Sequence, residues 1–139
     1  SRILATTIPF RTIRFAVEEK MTAQVLDRIV LQPGEALFKE GDIGDRAFVV
    51  QEGVIDIVKN ATDGDVVLGS IEKGGIFGEM ALIDDQPRMA SAIASSSCTI
   101  IVINRDVFQR KLSKCDPFVR GLLGIFVKNI RSMVEDRIS

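Results

Sequence analysis

The stretch Phe77-Gly78-Glu79-Met80-Ala81-Leu82-Ile83-Asp84-Asp85-Gln86-Pro87-Arg88-Met89-Ala90-Ser91-Ala92 brings together groups suited to holding an anion. Arg88 stands at the mouth of an apolar strand, Ala90 to Ala94, where a cation is costly to bury without a partner. Its planar guanidinium presents paired donors that match a phosphate. Glu79 to Leu82 are good helix formers, so one helical turn is expected there, with first N–H groups that favour an anion. Gly78 lets the backbone turn sharply and approach a ligand, and Pro87 stiffens the return. With Glu79 as acceptor for a sugar hydroxyl, the segment reads as a clamp for a phosphate and a ribose. The plainer reading is a Glu79–Arg88 salt bridge that braces a loop. Taken as an isolated pair, the residues leave both readings open.

Other chemistries find little support. The chain has no His, which removes imidazole acid/base catalysis, Ser-His-Asp triads and His-ligated metals. Cys98 and Cys115 stand singly, without C-x-x-C spacing, and read as reduced structural thiols of a cytoplasmic protein. Asp63 and Asp65 around Gly64 fall far short of a calcium loop. Asp84 and Asp85 read as solvated charge on a loop tip and take no catalytic role. A formal net charge of −1 gives no basic field for nucleic acid or anionic membrane. No run approaches the roughly 20 apolar residues of a membrane helix. The chain is therefore expected to be a non-enzymatic binding module without metal or cofactor. Because it opens on Ser1, it is expected to be one piece of something larger.

Three zones must position the clamp. Residues 1–23 form an N-terminal helical segment, with Ile13, Val17 and Met21 at helical spacing. Residues 24–104 are short Val/Ile/Phe-rich runs punctuated by glycine turns such as Pro33-Gly34-Glu35, Glu40-Gly41-Asp42 and Lys73-Gly74-Gly75. Such regular, short spacing predicts an antiparallel sandwich or roll, with a hairpin at Asp63-Gly64. Residues 105–139 return to the helical period. Asn104 or Asp106 caps a short helix through Leu112, and Asp116 caps a longer one with Pro117 at its first position. The apolar stripe of the long helix, Val119, Leu122, Leu123, Phe126, Ile130 and Met133, is close to a heptad seam. It is expected first to pack on the roll, and it also suits a dimer interface.

The Phe-Gly-Glu-Met-Ala-Leu opening, a short loop and Pro87-Arg88-Met89-Ala90 resemble the phosphate-binding cassette (residues 77–92) of the cyclic-nucleotide-binding domain family. That family includes cAMP-dependent kinase regulatory subunits, gated channels and CRP-type regulators. Pro33-Gly34-Glu35, Glu40-Gly41-Asp42 and Glu52-Gly53 agree in order, so the resemblance spans roughly Gln24 to Asp136. It implies a mainly β fold, a jelly-roll-like β-roll (double-stranded β-helix) with flanking helices, the C-terminal pair being the family's B and C helices. It also implies a site made of Gly78, Glu79, Met80, Ala81, Arg88, Met89, Ala90 and Ser91. Arg88 would hold the exocyclic oxygens of the cyclic phosphate, and Glu79 would accept the ribose 2′-hydroxyl. The N–H groups of Ala81 and Met89 would complete the cradle, and the helix from Pro117 would close over the base.

Family members that prefer cGMP often carry Thr directly after the arginine. Met89 offers no hydroxyl there, so cAMP is favoured over cGMP; it also departs from the small residues usual at that position, which bears on the fit beside the base. Ser91 is the nearest hydroxyl, at a position expected to face the strand interior or its ladder. The expected partners are a cyclic nucleotide, a second copy through the last helix, and a fused or bound output domain, with no direct nucleic-acid contact. The competing readings are the effector half of a CRP-type regulator, a channel fragment, and a degenerate roll that binds nothing.

Overall fold

A computed structural model describes residues 27–138 of the chain, so the expected helix in residues 1–23 lies outside the described part. Eight strands fold into two four-stranded sheets. They are β1 (Arg28–Leu31), β2 (Ala36–Phe38), β3 (Arg46–Glu52), β4 (Ile55–Ala61), β5 (Gly64–Ile71), β6 (Ile76–Phe77), β7 (Ser91–Ala94) and β8 (Cys98–Asn104). One sheet runs β1-β8-β3-β6 and the other β2-β7-β4-β5, with every pairing antiparallel. This is the double-sheet roll that the turn spacing predicts.

Alternation decides which face of each strand goes inward. Phe48 and Val50 of β3, Ile55 of β4, Ala92 and Ala94 of β7, and Ile100 and Val102 of β8 fill the space between the sheets. Phe38, Phe48 and Phe77 stack at one end of that core, with ring centroids 5.4 to 6.2 Å apart. The outer faces of β3 and β8 bury Val49 and Ile101, and a helix packs against these two strands. Buried on both sides, β3 and β8 read as continuous apolar runs.

β4 and β5 form the expected hairpin, with Thr62 and Asp63 as its two-residue turn and Ala61 paired to Gly64. Gly64, at φ 116°, takes the left-handed backbone that closes it. Cys98 and Cys115 are free thiols, and Cys98 is buried with its Sγ 3.2 Å from the Val54 carbonyl.

Among the described residues there are three helices: α1 (Met80–Asp84), α2 (Arg105–Ser113) and α3 (Pro117–Ile138). Asn104 caps α2, its side chain accepting the Val107 N–H at 3.0 Å, and Asp116 accepts the Phe118 N–H at 2.8 Å at the start of α3. The expectation for α3's packing needs correction. Val119, Phe126, Ile130 and Met133 of the predicted stripe are exposed, and Leu122 and Leu123 are half-buried. The buried residue of α3 is Val127, which the stripe left out. The cause is polar: Arg131 and Glu135, one and two turns after Val127, pair with Asp84 and Lys59 of the body. That turns the apolar seam away.

Among the described residues no helix is long and apolar enough to cross a membrane. Ile100→Ala, at the centre of the inter-sheet core, should cost roughly 2–5 kcal/mol in a urea unfolding curve. Val67→Ala, on the exposed side of β5, should stay within about 1 kcal/mol in the same measurement; a similar loss at both positions would contradict the assigned core.

Candidate functional site

Arg88 is 6% exposed. Its main chain pairs with the segment between β2 and β3: the Gly41 N–H donates to the Arg88 carbonyl, and the Arg88 N–H to the Asp42 carbonyl, both at 2.8 Å. Its side chain then doubles back beneath the same segment. Nη2 donates to the Arg46 carbonyl at 2.8 Å, and Nη1 donates to the Gly78 carbonyl at 2.6 Å. One face of the guanidinium lies 4.2 Å from the Phe38 ring centroid, a cation–π contact. At Gly44 a β-carbon would collide with the guanidinium carbon and Nε, so only glycine fits the present arrangement. Nε is buried with no partner.

This arginine is caged by carbonyls and a ring rather than by an acid. Among the described residues neither Nη meets a carboxylate in its hydrogen bonds, and the bracing salt bridge to Glu79 is not formed. Burial lowers the guanidinium's pKa. Asp45 opposes that from a distance, Arg46 adds to it, and Asp42 and Glu79 oppose it more weakly. A buried cation whose Nε has no partner, and whose hydrogen bonds among the described residues reach no carboxylate, is a site that an anion would stabilise.

Glu79 sits at the N-terminal end of α1 with helical backbone angles, and its side chain makes no capping bond, so the carboxyl is left for another partner. Burial raises its pKa above the ordinary 4.5, against the opposing pulls of its own backbone N–H and of Arg88. Gly78, at φ 79°, brings the chain from β6 into α1 with its carbonyl on Arg88. α1 closes on Asp85, a left-handed residue at φ 55° whose N–H returns to the Ala81 carbonyl.

A cavity of about 170 Å³ opens beside this cassette. Gly78, Glu79, Met80, Ala81, Arg88, Met89 and Ala90 all line it, as the sequence motif groups them. Ser91 does not: it pairs opposite Val58 in the sheet, and its hydroxyl accepts the Glu40 N–H at 2.9 Å. That position belongs to the strand ladder, and Ser91 is withdrawn from the site. The cavity's apolar lining includes Phe38, Ile57 and Ile71, and Arg131 of α3 borders it.

Sequence reading missed Phe38, Gly44 and Arg131. Gly44 had a signal, as the second glycine of Gly41-Asp42-Ile43-Gly44, three residues after the first. Phe38 looked like any strand hydrophobe. Arg131 carried no local signal, because its partner Asp84 is 47 residues away.

With this geometry in hand, comparison with known proteins is direct. A family model described as the cyclic nucleotide-binding domain matches residues 28–115. The chain belongs to the cyclic nucleotide-binding domain family. It is 36% identical over 103 residues to a cAMP-dependent protein kinase regulatory subunit of Aspergillus niger, covering 74% of this chain and 25% of that protein. The chain thus spans about a quarter of the length of the curated relatives it matches.

Among solved structures, it resembles the cAMP-bound EAL enzyme Bd1971, with TM-score 0.76, 28% identity, and coverage of 80% of this chain and 30% of that one. The cGMP-bound form of that enzyme matches with TM-score 0.73 and 28% identity, covering 79% and 30%. The regulatory domain of Toxoplasma gondii PKA with cAMP matches with TM-score 0.68 and 25% identity, covering 88% and 46%.

In this member of the family, the close fit of Gly44 over Arg88 is directly testable. Gly44→Ala should destabilise the domain by about 1–3 kcal/mol in urea, the usual range for overpacking. Adding Arg88→Lys, whose slimmer ammonium leaves room for the methyl group, should recover part of that loss. A neutral Gly44→Ala would mean that the guanidinium lies elsewhere.

Proposed function

We propose that this domain is a cyclic-nucleotide sensor that favours cAMP and carries out no chemistry of its own. The observation that carries this reading is Arg88, a buried cation caged by carbonyls with no carboxylate in contact, lining a cavity beside an uncapped Glu79. In this reading Arg88 takes the cyclic phosphate through N–H groups that the Gly78 and Arg46 carbonyls leave unused; a guanidinium has five. The N–H groups of Ala81 and Met89 complete the cradle. Glu79, as a carboxylate, accepts the ribose 2′-hydroxyl. The purine lies toward the apolar side of the cavity, near Met89 and Ile71.

Preference for cAMP is supported by Met89, which puts no hydroxyl after the arginine, and by the Ser91 hydroxyl being engaged in the sheet. The kinase regulatory relatives are named for cAMP, whereas the EAL enzyme is known with either nucleotide. The signal leaves through α3. A ligand that touches the cassette and α3 together shifts the population toward one placement of that helix. The exposed stripe of Val119, Phe126, Ile130 and Met133 is the surface α3 would present to an attached domain, a kinase-type partner or a second copy.

Calorimetric titration with cAMP and cGMP is the direct test. Arg88→Ala should lose about 3 kcal/mol of cAMP binding or more, through two charge-assisted hydrogen bonds. Glu79→Ala should lose less, since one sugar hydroxyl goes unpartnered. No heat with either nucleotide would sink the sensor reading, and the reverse ranking of the two variants would overturn the role assignment.

The raised Glu79 pKa predicts a pH dependence. As a carboxyl with a folded-state pKa above its unfolded value, Glu79 stabilises the fold only at low pH, and this is lost as pH rises through the raised value. Nucleotide binding runs the other way, because it needs the carboxylate. Affinity for cAMP should fall on acidification with a midpoint above 4.5, and Glu79→Gln should flatten that profile.

A further inference from the structure

Asp84 and Asp85 are adjacent acids at the end of α1, and they reach different helices. Asp84 receives a two-pronged contact from Arg131 of α3, with Nε to Oδ2 and Nη2 to Oδ1, the latter at 3.1 Å. Asp85 receives one contact, from Arg105 Nη2 of α2. Their surroundings differ as much as their geometry. The Asp84 and Arg131 side chains are 19% and 20% exposed, against 67% and 42% for Asp85 and Arg105. An exposed single-contact pair is screened by water and salt and is worth little. A bidentate, largely desolvated arginine–carboxylate pair fixes orientation as well as energy.

Arg131 does more than hold Asp84. Its Nη1 donates to the Pro87 carbonyl at 3.0 Å, immediately before Arg88. One guanidinium therefore bridges the loop from the end of α1 to the phosphate arginine, while its side chain borders the nucleotide cavity. One turn later Glu135 takes Lys59 of β4 at 3.2 Å; Lys59 is buried and also meets Glu40 at 3.2 Å. With buried Val127 and half-buried Leu122, Leu123 and Val134, this ionic row holds α3 against the body of the domain.

We propose that the Asp84–Arg131 pair is a latch that seats α3 as a wall of the nucleotide cavity. Arg131 is thereby a positioning residue for binding, and Asp85–Arg105 is a solvated contact that adds nothing. The effect on binding rests on the sensor reading above; the seating of α3 does not.

The test compares wild type, Asp84→Asn, Arg131→Gln, their double variant and Asp85→Asn by amide hydrogen exchange without nucleotide, then by cAMP titration. Asp84→Asn and Arg131→Gln should each speed exchange in α3 around Val127 about tenfold, with the double variant no faster than either. Asp85→Asn should leave exchange unchanged. cAMP affinity should fall about tenfold in each single variant, with no further loss in the double, and the swap Asp84→Arg/Arg131→Asp should recover part of both effects. Unchanged exchange in Asp84→Asn, equal change in Asp85→Asn, or additive single effects would overturn the latch. If wild type takes up no cyclic nucleotide, the sensor reading fails, and the exchange pattern alone decides the latch.

Discussion

Arg88 is a cation with 6% of its surface exposed and no acid in hydrogen-bonding contact, and much of the domain's architecture exists to hold it. Its main chain stitches β7's entry to the β2–β3 segment, and its head is held by carbonyls from two separate segments, at Gly78 and Arg46. Phe38 supplies one face, and Gly44 supplies a surface with no side chain in the way. Each contact spreads the charge without neutralising it. That is the condition under which an anion gains most from arriving, because burying a cation without a counter-charge is costly. The three stacked phenylalanines under the cage exclude water and keep that cost in place.

The same economy explains α3. A helix docked through a broad apolar face would be hard to move, since the whole face must be re-exposed. This one docks with one buried apolar residue, Val127, beside the ion pairs of Arg131 and Glu135, and keeps Phe126, Ile130 and Met133 outward. In the proposed sensor, releasing this face would return charged groups to water and would not expose a broad apolar surface. The outward stripe is then available for whatever reads the helix. In the proposed sensor, affinity and output share one helix by using different faces of it.

How much of this was legible depended on the range of each interaction. The roll was legible because a period of two and a glycine turn every few residues are local properties, as at Thr62-Asp63-Gly64. The cassette was legible because Gly78, Glu79 and Arg88 lie within eleven residues of one another and line one cavity. Ser91 was read two ways: the resemblance put it among the site residues, and its place on a strand put its hydroxyl in the ladder, which is where the Glu40 N–H and the Val58 pairing hold it. The α3 stripe misled for a related reason. Periodicity reports that a helix has an apolar side, and it says nothing of what stands opposite.

By itself the sequence determined a β-roll, a cassette that carries an arginine and a glutamate on one short segment, and two capped helices after it. These rest on backbone preference, side-chain period and near neighbours, all written within a few residues. Only the tertiary structure decided that Arg88 is caged by carbonyls and not braced by Glu79, that Gly44 and Phe38 form its cage, and that Arg131 and Glu135 turn α3's polar side inward. Those outcomes depend on partners separated by dozens of residues, such as Asp84 and Arg131 or Lys59 and Glu135, which meet only when the two sheets have closed.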